Sequence, residues 1–385
     1  MITIFTSVFN RANILWRLYE SLIHQTNYDF EWLIVDDGST DDVKFVVLKW
    51  IEEGKLPVNI RYYHQQNGGK HRAINRGVKL AEGEAFFIVD SDDYLEDNAV
   101  ELVCKWLKAI HNNDSFAGVA GLKANMEGKV AGGSPTFENY IDATNIERDK
   151  YGLLGDKAEV FKTSVLRKYL FPEFKGENFL PEGIIWDKMA NDGLKIRWVN
   201  QVIYIYEYLE GGLSHQWQTN CRNNPVGWGA YLQSRNVYYK WEENDKIYQY
   251  MEYYLELKDK LSVREIQRNL NCSEDEFKKI LKFYNSCIEN TIRRIGREIA
   301  VYGVGRRGNN VLRLYKDSEV KILYVLDRKT AEIPYKQLDI EEDYPDVDAI
   351  IVTPKEGQDT IMNMLKEKTS NRIIGYEKWD SLIKL

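Results

Sequence analysis

Three carboxylates stand at Asp90, Asp92 and Asp93 in "VDSDDYLED", directly after the apolar run "AFFIV". A second acidic group, Asp36 and Asp37 followed by Asp41 and Asp42, closes the apolar run "FEWLIV" in "FEWLIVDDGSTDD". An Asp after a strand commonly caps a solvated turn, and for either group alone that is the simpler reading. Both groups, however, end strands of one alternating pattern, so they reach the same edge of one sheet. Like charges gathered there are costly unless they face water, donors or a cation. Hard divalent ions take oxygen ligands, and Mg2+ uses one or two carboxylates together with phosphate oxygens. The arrangement suits a nucleoside diphosphate: the first group reads base and ribose through hydrogen bonds, and the second holds the metal. Between them, "NGGKHRAIN" offers glycines for close backbone approach, and Lys70 and Arg72 for phosphate or ribose.

The elements that must position these residues follow from periodicity. Residues 1–112 alternate strand and helix: "ITIFTSV", "NILWRLYESLIHQ", "FEWLIVDD", "DDVKFVVLKWIEEG" stopping at Gly54, "NIRYYHQ", "KHRAINRGVKLAEG" and "AFFIVD". In the first helix Ile14, Leu15, Leu18 and Leu22 share one face. A βαβα rhythm implies a parallel sheet covered on both sides, and such sheets bind ligands beyond the carboxyl ends of their strands. Residues 113–220 are less regular, with strands "FAGVAGLKA" and "IRWVNQVIYIYEY" and a helix "EGIIWDKMAN". Residues 225–297 read as helical, and Tyr250, Tyr253 and Tyr254 fall at helical spacing that suits packing. From residue 298 a new alternation begins with "EIAVYGVGRRGNNVLRLY", followed by strands "VKILYVLD", "DAIIVTP" and "RIIGY".

Bulk properties narrow the class. A chain of 385 residues holds two or three domains. Its net charge of −7 argues against nucleic acid as a partner. Aromatic residues reach 13%, which suits sugar stacking and packing alike. Cys104, Cys221, Cys272 and Cys287 form no metal-spaced pair and point to free thiols in a reducing compartment. No apolar run is long enough for a membrane span, and "MITIFTSVFNR" reads as a strand rather than a signal peptide. The expected location is cytoplasmic, with room for peripheral contact at the inner face of the membrane.

Five stretches taken in order, "TSVFNR", "LYESLIHQT", "WLIVDDGSTDD", "NGGKHRAINRG" and "FFIVDSDDYL", resemble family two glycosyltransferases with the GT-A fold. The resemblance covers residues 1 to about 215. It implies an α/β catalytic domain over 1–220 built on a GT-A-type, Rossmann-like mixed sheet. A helical segment (221–297) and a small Rossmann-like α/β domain (298–385) follow. It also implies an inverting, Mn2+- or Mg2+-dependent transfer from a nucleotide-sugar, a UDP-sugar first of all. The acceptor would be a glycan or lipid-linked sugar in bacterial-type surface polysaccharide synthesis. By the same resemblance Thr6 touches the nucleotide, Asp37 reads uracil with Asp36 beside it, and Lys70 and Asn75 lie near ribose and diphosphate. Asp90 and Asp92 form the D-x-D element, with Asp92 as the direct metal ligand and Asp93 as an extra acid or a helix cap. Asn75 serves equally well as a helix-surface residue.

The family places its catalytic base at a helix start past the middle of the domain, often as an E-D pair. Here "GENFLPEGIIWDKMA" lacks that pair, so Glu182, after Pro181, stands as the candidate with Glu177 and Asp187 as rivals. In "EYLEGGLSHQ", which reads like the family's closing loop, His215 is placed to bind diphosphate or metal, or is an incidental loop histidine. Trp217 and Trp228 are candidates to stack on an acceptor sugar. The Q-x-x-R-W element and membrane helices of processive members are missing, so a non-processive enzyme is expected.

Gly303, Gly305 and Gly308 have the G-x-G-x-x-G spacing between a strand and a helix, and Asp327 ends the next strand. The context fits a nucleotide or sugar-nucleotide site, but the remaining length is about half a dinucleotide domain. An assembly role, including homo-oligomerisation, is the other reading. Two alternatives to glycosyl transfer stand beside it. A nucleotidyltransferase would carry a Gly-rich basic loop after the first strand, where this chain has "TSVFNRAN". A non-catalytic sugar-nucleotide-binding component of a glycan-assembly complex would not need Asp37, Asp92 and Glu182.

Overall fold

A computed structural model describes residues 1–207, 216–327 and 333–384. The chain divides into two compact units, Met1–Lys240 and Trp241–Leu385. The helical stretch that begins near residue 225 is shared between them.

In the first unit, β1 (Ile2–Val8), α1 (Trp16–Ile23), β2 (Phe30–Asp36), α2 (Val43–Glu53), β3 (Ile60–His64), α3 (Lys70–Leu80) and β4 (Ala85–Ile88) alternate as periodicity predicts. Then come β5 (Tyr94–Leu95), α4 (Ala99–Ile110), β6 (Phe116–Ala124), β7 (Tyr140–Ala143), β8 (Lys157–Lys162) and a short α5 (Thr163–Leu166). The unit closes with α6 (Gly183–Asn191), β9 (Lys195–Ile205), α7 (Trp217–Asn223) and α8 (Pro225–Tyr239). The strands form one sheet in the order β3-β2-β1-β4-β8-β6-β9-β5, with β7 paired to β9. β1 pairs in parallel with both β2 and β4, while β8 enters antiparallel between β4 and β6.

Alternation along the strands fills both faces. Ile2, Ile4 and Val8 of β1 join Trp32 and Ile34 of β2 under α1, α2 and α4. Phe5, Leu33 and Val35 point the other way and pack against Ala73, Ile74 and Val78 of α3 and Ile184 and Ile185 of α6. Fully burying each such side chain stabilises the fold by roughly 1.5–3 kcal/mol. Every residue of β2 is buried, as expected of a strand covered on both sides. At the other end of α2 the chain leaves the helix through Gly54 at φ 60°, a left-handed position that costs glycine little.

The second unit holds helices α9 (Glu243–Leu257), α10 (Val263–Leu270) and α11 (Glu274–Arg294). Ser262 and Ser273 open the last two with capping boxes to Glu265 and Glu276. Next come β10 (Glu298–Tyr302), α12 (Arg306–Tyr315), β11 (Lys321–Leu326), β12 (Gln337–Leu338), β13 (Ala349–Val352), α13 (Gln358–Lys368), β14 (Ile373–Gly375) and α14 (Tyr376–Lys384). Its strands make a parallel sheet in the order β12-β11-β10-β13-β14. Tyr250 and Tyr253 are buried in α9 and Tyr254 packs edge to face on Phe277, the packing role their spacing suggests. Among the described residues no helix is long and apolar enough to cross a membrane.

Candidate active site

The site lies where the carboxyl ends of β2, β1 and β4 meet, because β1 runs between two strands that continue in opposite directions of the sheet order. Asp36 and Asp37 end β2, and both are buried. The Asp36 carboxylate accepts the Ser39 N–H at 2.7 Å and the Tyr62 hydroxyl. That of Asp37 accepts Gln65 Nε2 at 2.7 Å and the Gly68 and Gly69 N–H groups at 3.0 and 2.7 Å. Asp37 therefore shapes the loop that leads into α3. Gly69 sits in that loop at φ 94°, and a Cβ there would meet the Asn178 carbonyl oxygen at 1.7 Å. Only glycine permits this approach, which lays the "NGGK" loop against the segment leading to Glu182.

Asn75 and Arg72 fasten the same segment from α3. Asn75 is buried, donates to the Phe171 carbonyl at 2.9 Å and accepts the Phe171 N–H at 2.8 Å. Arg72 donates to the Phe174 carbonyl at 2.6 Å. Thus two stretches about a hundred residues apart in sequence are joined edge to edge.

Several of the candidate groups meet at Lys70, the first residue of α3. Its Nζ lies 2.5 Å from Asp90 Oδ1 and 2.9 Å from Glu182 Oε1. Lys123, from β6, places its Nζ 3.7 Å from Asp90 Oδ2 and 4.0 Å from the centre of the Tyr204 ring. Tyr204, fully buried on β9, accepts the Asp90 N–H at 2.9 Å and donates to Asp93 Oδ2 at 2.8 Å. Burial works against the Lys70 ammonium, yet Asp90 and then Glu182 hold its pKa well above the usual lysine value. Burial likewise disfavours the Asp90 carboxylate, and Lys70 and Lys123 outweigh it, so Asp90 stays far below the ordinary range. Asp92 and Asp93 go the other way. Burial, and then the charge of Asp90, push both upward. Asp92 has Arg11 at 4.0 Å as its nearest cation.

The three carboxylates proposed as the base have different surroundings. Glu182 lies just before α6 and makes no side-chain capping bond; its carboxylate turns to Lys70. Glu177 is buried and accepts the Val226 and Gly227 N–H groups, both at 2.7 Å, so it caps α8. Asp187 is buried beneath α8 and accepts from Asn145 at 2.7 Å and Tyr239 at 3.1 Å. Burial raises the pKa of both Glu177 and Asp187.

Lys70, Asp90, Asp92 and Glu182 are therefore gathered at one cleft edge. Thr6 is not among them: it is fully buried in β1, where its hydroxyl accepts the Trp32 indole N–H at 3.1 Å. Asn75 faces the Phe171 segment, as described. His215 lies outside the described residues. Trp217 is half-buried and edge-on to Phe179 at 5.7 Å. Sequence reading missed Lys123, Tyr204 and Arg11. It also missed Glu159 on β8, which burial pushes up to about 7 and which feels the charges of Arg148, Lys123 and Glu182. Arg11 ends the stretch "TSVFNR" that follows from β1. Lys123, Tyr204 and Glu159 stand in no local motif, and antiparallel pairing of β8 and the long register of β6 with β9 bring them in.

A hard divalent cation fits these residues. Asp90 and Asp92 offer oxygen ligands two residues apart, and Asp92 is pushed upward by burial first and then by the charge of Asp90, both of which a cation would offset. Among the described residues no group of three Asp, Glu, His or Cys side chains forms a ready cage.

The second unit's Gly-rich turn is built differently. Gly303 has φ 88°, and a Cβ on Gly308 would sit 1.9 Å from the Gly303 carbonyl oxygen. Both glycines are thus required by the fold of the turn. Gly305 is not, for a Cβ there would point into open space. Asp327 accepts the Val304 N–H at 2.8 Å, and the Thr353 hydroxyl is held between the Tyr302 and Gly303 carbonyls at 3.0 and 2.9 Å.

Residues 3–169 match the family model described as Glycosyl transferase family 2. A Rickettsia felis protein described as an uncharacterized glycosyltransferase is 35% identical over 128 residues, covering 33% of this chain and 20% of that protein. Glycosyltransferase GlyA of Streptococcus pneumoniae is 28% identical over 229 residues, covering 56% of this chain and 32% of its own length. The chain thus spans a third or less of these relatives. The crystal structure of S. aureus TarS 1-349 in complex with UDP-GlcNAc is similar over 76% of this chain and 85% of that one, at 19% identity and a TM-score of 0.49.

Proposed function

We propose, on the premise that residues 3–169 are a glycosyl transferase family 2 domain, that this chain transfers a sugar from a nucleotide-sugar to an acceptor hydroxyl with inversion. In this reading the donor is a UDP-sugar and the acceptor a glycan or lipid-linked sugar. The observation that carries it is the meeting of Lys70 with both Asp90 and Glu182. An acid of the metal-type cluster and a separate carboxylate from a helix start both reach Lys70, which supports a base distinct from the metal ligands.

Asp90 and Asp92 would hold Mn2+ or Mg2+ together with the donor diphosphate. Such an ion, when bound, neutralises the diphosphate and makes it a better leaving group. Lys70 and Lys123 add positive charge at the same edge, where the departing phosphate gains negative charge. Glu182 takes the proton of the acceptor hydroxyl as its oxygen bonds to the anomeric carbon. The bond from that carbon to the phosphate oxygen breaks, and its electron pair leaves with the nucleoside diphosphate. Asp37 contributes by fixing the loop that presents Lys70, and with Asp36 it borders the place of the base. Glu177 and Asp187, engaged with α8, serve packing.

The test has two arms. Thermal stabilisation by a panel of nucleotide-sugars with Mn2+ should single out a UDP-sugar, since a ligand bound only by the native state raises its stability. Glu182→Gln should lower transfer by about 10²–10⁴-fold while donor affinity stays unchanged. Normal transfer by this variant would move the base elsewhere. Full wild-type activity in excess chelator would remove the metal from the reading.

A further inference from the structure

α2 buries Val43, Val47 and Trp50 against the sheet and shows its opposite side to solvent. That side carries Phe45, Leu48 and Ile51, exposed by 70, 47 and 42%. Residues three apart on a helix are neighbours, so these side chains form one apolar ridge. A contiguous exposed ridge of this kind commonly marks an interaction surface.

The charges around the ridge indicate what covers it. Lys44 and Glu52 are exposed on the same side of the helix, and among the described residues neither makes an ion pair. Asp41 and Lys55 flank its two ends. The pattern is symmetric about Leu48: Phe45 and Ile51 lie three residues to either side, Lys44 and Glu52 four, and Asp41 and Lys55 seven. Each charged pair is opposite in sign. A twofold interface must be complementary to itself, and this order of residues is.

We propose that the chain self-associates through α2, packed antiparallel on α2 of a second copy with the twofold axis at Leu48. Leu48 then meets its own counterpart, Phe45 meets Ile51, and Lys44 meets Glu52, each contact occurring twice. Asp41 already accepts the Ala12 N–H, and Lys55 already pairs with Glu53 at 3.1 Å, so the outer pair adds less. Ile51 also lines a shallow groove with Trp50, Gly54, Leu56, Val58 and Ile60, which gives the Phe45 ring of the second copy room to enter. An anionic membrane surface is the poorer match. Asp41, Asp42, Glu52 and Glu53 outnumber Lys44, Lys49 and Lys55 here, and amphipathic membrane helices carry basic polar faces. One 11-residue helix spans only ~16 Å, so the dimer is a weak one that forms as concentration rises.

Sedimentation velocity of the full chain over a concentration series reads this directly. The average mass should climb toward that of a dimer. Lys44→Glu and Glu52→Lys, each alone, should weaken association about tenfold, because each sets two like charges against each other. The double variant Lys44→Glu with Glu52→Lys should restore it, since the swapped charges again oppose. Leu48→Cys should cross-link between copies under mild oxidation, as only close approach at the axis allows. A monomer at every concentration overturns the proposal. So does a dimer indifferent to the single reversals, an uncrosslinked Leu48→Cys, or a monomer that floats with anionic vesicles.

Discussion

Two parallel arrangements in this molecule end in opposite ways. In the first unit the strand ends deliver charge that the fold leaves in tension: Asp90 is drawn to Lys70 and Lys123, while Asp92 and Asp93 are pushed toward protonation by burial and by Asp90. In the second unit the corresponding edge is closed on itself. Asp327 holds the Val304 N–H, Thr353 holds two carbonyls, and the helix approaches so closely that Gly308 has no room for a side chain. The topology is shared in kind; the difference lies in whether the acids at the edge crowd one another or are tied to the backbone. A site is recognised by that imbalance rather than by its glycines or its fold.

The contrast can be broken or sharpened by substitution. The largest effect expected is the fall in transfer of Glu182→Gln, well beyond any change in melting temperature, since Lys70 keeps Asp90 as its counter-ion. A large drop in melting temperature would mean that Glu182 is structural. Next is Gly308→Ala. Its Cβ would meet the Gly303 carbonyl, so the second unit should lose about 3 kcal/mol or more, read by chemical denaturation, in line with severe overpacking.

His71 provides a pH test in the first unit. It is buried beside Phe171, and burial lowers its pKa to about 4. Between that value and the unfolded histidine pKa near 6.5, the unfolded chain binds the extra proton. The stability is therefore complete above about pH 6.5 and is lost as pH falls toward 4, by roughly 3 kcal/mol in total. His71→Phe should flatten that slope in acid denaturation curves; an unchanged slope would assign it to other groups.

Smaller again, Asp327→Asn should destabilise the second unit by about 1–3 kcal/mol through its weakened bond to Val304 and leave transfer untouched. The smallest effect falls at Gly305→Ala, expected within about 0.5 kcal/mol because open space and an ordinary backbone angle await the new methyl group. If Gly305→Ala instead abolished binding of a nucleotide to the second unit, the closed description of that turn would need revision.

Much of the first unit could be read in the chain. "FEWLIVDD" and "AFFIVD" announce buried strands ending in acids, and "DDVKFVVLKWIEEG" announces a helix with a glycine stop; all three stand where periodicity puts them. These signals are local. Lys123 and Tyr204 were not legible, because they reach Asp90 only through the pairing of β6 with β9, whose register shifts at several points. Asn75 and Arg72 were legible as polar residues of a helix, but their partners Phe171 and Phe174 lie in a segment without periodicity. The rival carboxylates Glu177 and Asp187 could not be told apart from Glu182 for the same reason: their partners, in α8 and near Asn145, are distant in sequence.

The close approach of Gly69 to Asn178 also bears on how the protein is made. Until the ribosome has released the stretch that holds Asn178 and Glu182, Lys70 has only half of its counter-charge, and the "NGGK" loop has no backbone to rest on. Joining contacts so far apart costs loop-closure entropy before any contact repays it. The candidate site is therefore among the last parts of the first unit to mature during synthesis. A nascent chain halted short of residue 170 would display β1 to β4 and their acids without the carboxylate that completes them.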